Sequence, residues 1–127
     1  ISPFVPKPWT PFQWQPFDQV HSLKQKIKII TKGLKKERKI TVSYELPKWG
    51  YVQTLLSRGD RRAGSILVKA YMHAGDWNRA FRETESHPDF YVYRVRSADE
   101  IFPWDFIKHT VEKQQLWKEY QKALLGK

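Results

Sequence analysis

Five of the chain's eight prolines fall within its first 17 residues, at positions 3, 6, 8, 11 and 16, and no other feature restricts the fold as much. Each ring fixes its own φ and pushes the preceding residue out of the helical region, so this stretch is predicted to run extended. Proline cannot donate to a ladder, which confines the stretch to an edge strand or a surface-clinging arm. Phe4, Val5, Trp9, Phe12, Trp14 and Phe17 are threaded between the prolines and need a surface to cover them. Two surfaces qualify: the core of the same domain, with the arm as a strap, or an upstream domain absent from this sequence. The chain starts at Ile1 rather than at a methionine, and it is expected to be a piece of a longer polypeptide.

Beyond the arm the periodicity changes. Val20, Leu23, Ile27, Ile30 and Leu34 recur at spacings of 3, 4, 3 and 4, the stripe of an amphipathic helix of about four to five turns that Asp18 can cap. From Ile40 to Leu46, Ile40, Val42, Tyr44 and Leu46 alternate with Thr41, Ser43 and Glu45, which predicts a half-buried strand. Pro47 suits the first turn of a second helix with Val52, Leu55 and Leu56 inside. Asp60 is placed to cap a third helix running to Ala74, with Ala63, Ile66, Leu67, Ala70 and Tyr71 at helical spacing and Gly75 closing it. Asp76 can cap a short helix that buries Trp77, Ala80 and Phe81. Phe90 to Arg96 is aromatic and β-branched, hence a second strand. A final helix is expected from about Glu112 to Leu125, with Leu116, Trp117, Tyr120, Ala123 and Leu124 inside. The predicted class is therefore α+β, with an extended arm over residues 1–17 followed by a domain over residues 18–127. Four or five helices would pack there with a small sheet of two or three strands.

A chain of 127 residues is long enough to bury one real core. It contains no cysteine, which removes disulfide scaffolds, thiolate nucleophiles and Cys-ligated zinc or iron–sulfur centres from its own chemistry. The four histidines, at 21, 73, 87 and 109, are at least 14 residues apart, so no helical metal site is predicted. Glycine-rich phosphate loops and nucleophile elbows are also missing. No signal peptide or membrane-spanning run is visible, and a cytoplasmic protein is expected.

The charge is lopsided. Of a net +10, residues 1–48 carry +7, from ten bases against three acids. Such a balance favours an anionic partner. Lys24, Lys28, Lys32, Lys35 and Lys36 sit on the outer faces of the first helix, where lysines can neutralise the phosphates of RNA or can simply be solvated. The densest polar constellation is Ser57-Arg58-Gly59-Asp60-Arg61-Arg62, at a junction between two helices. Its guanidinium forks can receive a phosphate or carboxylate beside a helix N-terminus; in the structural alternative, Asp60 caps the helix and pairs with a neighbouring arginine. Arg58-Gly59-Asp60 spells a cell-adhesion tripeptide, to which a chain without cysteines or a secretory signal gives no weight.

Ser2-Pro3-Phe4-Val5-Pro6-Lys7-Pro8, Thr10-Pro11-Phe12-Gln13-Trp14, Leu56 to Arg62, and Phe102-Pro103-Trp104-Asp105 through Leu116-Trp117-Lys118-Glu119-Tyr120 together resemble one family. They look like the stretch that follows, and partly completes, the radical S-adenosylmethionine core in a group of Fe-S oxidoreductases, many with an N-terminal cobalamin-binding domain. The resemblance implies a parent enzyme whose [4Fe-4S] cluster, on a Cys-x-x-x-Cys-x-x-Cys loop, cleaves S-adenosylmethionine reductively, in some members with cobalamin. It implies no catalysis by this chain alone, since nothing here matches that loop. What remains is a C-terminal domain that closes the catalytic barrel of the upstream core and helps to hold substrate. Lys7, Arg58, Asp60, Arg61 and Arg62 are the residues expected to face an anionic substrate. A basic RNA-binding module is the alternative function.

Overall fold

The computed structural model describes residues 1–108 and 110–126; His109 lies outside them. Their architecture is helical, and no strand occurs among the described residues. A 3-10 turn over Pro11–Trp14 is followed by α1 (Val20–Leu34), α2 (Pro47–Arg58), α3 (Ala63–Met72), α4 (Trp77–Arg82), α5 (Asp89–Val92) and α6 (Lys113–Leu124). The expected α+β class with its small sheet is thereby corrected to all-α.

Both expected strands fail for want of a partner. Residues 40–46 do alternate, but Ile40, Tyr44 and Leu46 are exposed, and the stretch is non-helical coil without a ladder. Its main-chain pairing is short and reaches only the first residue of the chain: Glu45 N–H donates to Ile1 O at 3.0 Å, and the Ile1 ammonium to Ser43 O at 2.6 Å. An alternating pattern states which faces could be covered; the sheet itself needs a second strand. Residues 90–96 divide instead. Pro88 and Asp89 start the single turn of α5, which buries the neighbouring Tyr91 and Val92 together, an arrangement that a period of two forbids. Arg94 and Arg96 then turn back to share Glu100.

The helices follow the reasons their sequences supply, with shifts at the ends. Pro47 is the first residue of α2, where its missing N–H costs nothing. Gly75 (φ +88°) donates to Ala70 O at 2.8 Å and closes α3 in the left-handed region that glycine tolerates. Asp76 caps α4, its carboxylate accepting the Arg79 N–H at 3.0 Å. Two expected caps move. The residue before α1 is Gln19, and the Asp18 carboxylate accepts from the Gln19 N–H, the Ser22 hydroxyl and the Lys26 ammonium. Asp60 stands ahead of α3 and accepts the Arg62 N–H at 2.8 Å. Some apolar positions also face outward: Leu56, Leu67, Tyr71 and Leu124 are exposed.

Two cores result. One gathers Phe17, Leu55, Ala63, Ile66, Ala70, Ala80, Tyr91 and Val92 between α2, α3, α4 and α5. The other is almost entirely aromatic: Trp14, Phe102, Trp104 and Tyr120 with Leu116 on α6. The proline-rich arm joins them, since Trp14 is 1% exposed in the second and Phe17 2% exposed in the first. Most of the arm is thus a strap on this chain's own body, although Ile1 and Phe4 at its start remain exposed.

Candidate functional site

The basic corner between α2 and α3 separates its residues into two kinds. Arg58, on the last turn of α2, is fully buried and donates through Nη1 to Gln15 O of the arm at 2.6 Å. Burial first, then repulsion from Arg96 and Arg94, pulls its pKa below the ordinary arginine value. Arg96, itself buried, donates to Arg58 O at 3.2 Å and to Glu100 at 3.1 Å. Arg58 therefore ties the arm to the helices. Asp60 is similarly engaged. It accepts Arg62 Nε and Nη2 at 3.0 and 2.6 Å, and the Tyr91 hydroxyl at 3.0 Å. The Arg62 hydrogen bond, foremost among these, holds the Asp60 carboxyl down to about 2, and the same bond raises the Arg62 pKa.

Lys7 bends inward to the Ser57 hydroxyl at 2.9 Å. Arg61 alone of the five expected contacts is exposed with no side-chain bond among the described residues. It borders an open depression of about 530 Å³ with Asp60, Arg62, Pro103 and Phe106. The structure thus brings Asp60, Arg61 and Arg62 together at one surface, while Arg58 turns toward the arm and Lys7, on the arm, toward α2.

Lys24, Lys28 and Lys32 on α1, and Lys35 and Lys36 directly after it, are all exposed, and none makes an ion pair among the described residues. Their neighbour Lys26 does, with Asp18 at 2.6 Å.

The structure also forms a cleft that the sequence did not announce. Val20 and Lys24 of α1, Lys48, Trp49, Tyr51 and Val52 of α2, Trp77, Asn78 and Phe81 of α4, with Gly75, Asp76 and Tyr93, enclose about 510 Å³. That volume fits a small ligand or one nucleobase with its sugar. The wall is a chain of rings: Trp77 to Phe81 at 5.9 Å, Phe81 to Tyr51 at 5.6 Å and Tyr51 to Tyr93 at 5.5 Å between centroids. The Tyr51 hydroxyl donates to Asp89 at 2.6 Å, and burial followed by that carboxylate raises its pKa far above the ordinary value. Trp49 is half exposed, with Lys48 Nζ 4.9 Å from its ring centroid. Three separate helices, with Tyr93 directly after α5, supply these side chains, so no local spacing marks them; the weak signal was Lys48-Trp49 directly after a helix-starting proline.

No cluster of three or more metal-ligating side chains occurs among the described residues, and with no cysteine in the chain the donor set does not fit an iron–sulfur cluster. No helix among the described residues is long and apolar enough to cross a membrane.

Among known proteins, no family model matches this chain, and no solved structure does. Part of it is similar to an uncharacterized protein of Methanocaldococcus jannaschii, MJ0966, with 43% identity over 67 residues. Those residues make up 53% of this chain and 14% of that protein, so the chain spans only a small part of its relative's length.

Proposed function

We propose that this chain is a non-catalytic helical domain of a radical S-adenosylmethionine Fe-S oxidoreductase, docked on the cluster-bearing core of the same polypeptide. The observation that carries this reading is the way the arm is held. Arg58, Gln13, Trp14 and Phe17 anchor it inside the body, while Ile1 and Phe4 at its start, and Tyr44 and Leu46 on the stretch paired with Ile1, are left in solvent. A rigidly mounted edge of apolar side chains suits attachment to a neighbouring unit better than free solution. The similarity of part of the chain to a small portion of a much longer protein supports a module within a larger architecture. In this reading the cluster and S-adenosylmethionine belong to cysteines of the core, and cobalamin, where used, to a further domain. Arg61, beside the open depression, is the cation this domain can offer an anionic substrate.

The test is expression of the chain with its preceding coding region, followed by iron–sulfur reconstitution. Electron paramagnetic resonance should show a [4Fe-4S] signal in the long polypeptide and none in residues 1–127 alone. Phe4→Asp and Tyr44→Asp should weaken association of the separately produced halves at least tenfold without unfolding either. A preceding region that lacks a Cys-x-x-x-Cys-x-x-Cys loop, or halves whose association ignores both substitutions, would overturn the proposal.

A further inference from the structure

We infer that the cleft between α1, α2 and α4 is the entry point of a binding surface for single-stranded nucleic acid, a base stacking against Trp49 and Trp77 while phosphates follow the lysines of α1. Three independent observations meet there. The first is the ring-walled cleft of about 510 Å³, open to solvent at the half-exposed Trp49. Every base has a π-face, so an accessible indole binds bases with little regard to sequence.

The second is where the cations stand. Lys24 and Lys48 line the cleft itself, and at 100° per residue Lys24, Lys28, Lys32 and Lys35 fall within about 80° of the α1 circumference. The stripe runs about 16 Å from the cleft along the helix. Val20, Leu23, Ile27 and Leu34, all partly buried, occupy the adjoining face of α1, so the row of ammonium groups flanks the line along which the helix packs.

Third, none of these lysines has a carboxylate to pair with among the described residues, although Lys26 on the same helix does. A row of uncompensated cations repels itself, and a polyanion laid along it relieves that repulsion while releasing its own counterions. Asp76 is the acid lining the cleft, and it is directed at the Arg79 N–H. An acidic protein segment would use the lysines but has no use for a π-walled cavity at their end, which favours a nucleic acid as occupant. Strand binding by this chain requires no preceding core, so the domain-docking reading can fail while this one stands.

The experiment is fluorescence anisotropy of labelled 12-nucleotide oligo(U) and oligo(A) with residues 1–127 between 50 and 200 mM NaCl. Three or four phosphate contacts predict a slope of log K against log salt of about −2 to −3. Lys24→Glu with Lys28→Glu should weaken binding more than tenfold and flatten that slope. Trp49→Ala should weaken it about tenfold and leave the slope unchanged, because stacking releases few ions. Lys118→Glu on α6, a charge reversal half that size elsewhere, should have little effect; circular dichroism of each variant verifies folding. The proposal is overturned by absence of binding at 50 mM salt, or by Lys118→Glu acting as strongly as a substitution in the stripe. It is equally overturned if a mononucleotide competes as well as the 12-mer, which would make the cleft a nucleotide pocket instead.

Discussion

Asp60 receives the Arg62 guanidinium, the Arg62 backbone N–H and the Tyr91 hydroxyl, so its carboxylate joins α3, the corner before it and α5. Replacing it by alanine orphans that hydroxyl and a backbone donor, a loss of about 1–2 kcal/mol in a partly covered site. Arg61→Ala, which breaks no bond among the described residues, should change stability by less than about 0.5 kcal/mol. Urea unfolding of both variants checks the contrast, and equal losses would mean that Arg61 is engaged. The pH dependence follows from a folded pKa of about 2 against about 3.9 for a free aspartate. A carboxyl lowered in the folded state contributes fully above the higher value and loses that contribution as pH falls through the lower one. The gap between wild type and Asp60→Ala should therefore be constant from pH 7 to about 5 and narrow between about pH 4 and 2.5. At this scale the sequence was partly legible. An aspartate followed by two arginines suggested both a ligand site and a pairing, and geometry chose pairing for Arg62 while leaving Arg61 outward. Arg58 was legible as a cation at a helix corner but not as a buried one, since the arm that covers it comes from 43 residues earlier in the chain.

Helices announced themselves where a single stretch carries the whole reason for its structure. Pro47 at a first turn, Asp76 as a cap and Gly75 as a terminator act within a few residues, and each was readable. The two expected strands were not, since a strand depends on a remote partner that the local pattern does not specify. The aromatic cleft was illegible for the same reason, being assembled from α1, α2 and α4. Glycines show how differently neighbouring elements are constrained. A Cβ on Gly33, near the end of α1, meets nothing within 4 Å, and alanine also lowers the backbone entropy of the unfolded chain. Gly33→Ala should stabilise by about 0.5–1 kcal/mol. On α2 the opposite holds. A Cβ on Gly50 would lie 2.9 Å from the Phe17 ring and 3.2 Å from Pro3, both on the arm, and Gly50→Ala should destabilise by about 1–3 kcal/mol. Thermal unfolding followed by circular dichroism reads both signs. A neutral Gly50→Ala would show that the arm does not seat against α2 as described.

The arm gives the whole molecule its organisation. Trp14 stacks on Tyr120 at 5.9 Å between centroids and packs against Trp117 at 4.9 Å and Phe102 at 5.7 Å, while three residues on Phe17 enters the core under α2. Gln13 Oε1 accepts the Trp104 indole N–H at 2.9 Å and Gln15 Oε1 the Tyr120 hydroxyl at 2.8 Å. The proline pattern foretold an extended apolar segment in need of cover, and left open what would cover it; the structure supplies this chain's own helices for all but its first few residues. The consequence is that α6 leans on the 3-10 turn of the arm, the element it contacts most, and its two buried side chains, Leu116 and Tyr120, belong to the aromatic core that Trp14 completes. Helices of about 12 residues are marginal on their own in water. Removing residues 1–17 should therefore free α6 while α2, α3 and α4 keep part of their shared core: trypsin should cut first at Lys113, Lys118 and Lys122, and helical ellipticity should fall by about the share of one helix. Trp14→Ala should produce the same early cuts at an overall cost of about 3–5 kcal/mol, whereas Phe4→Ala, at an exposed ring, should not. If α6 stays protected after deletion of the arm, the second core does not depend on Trp14, and the strap is only a covering rather than the joint between the two halves of the fold.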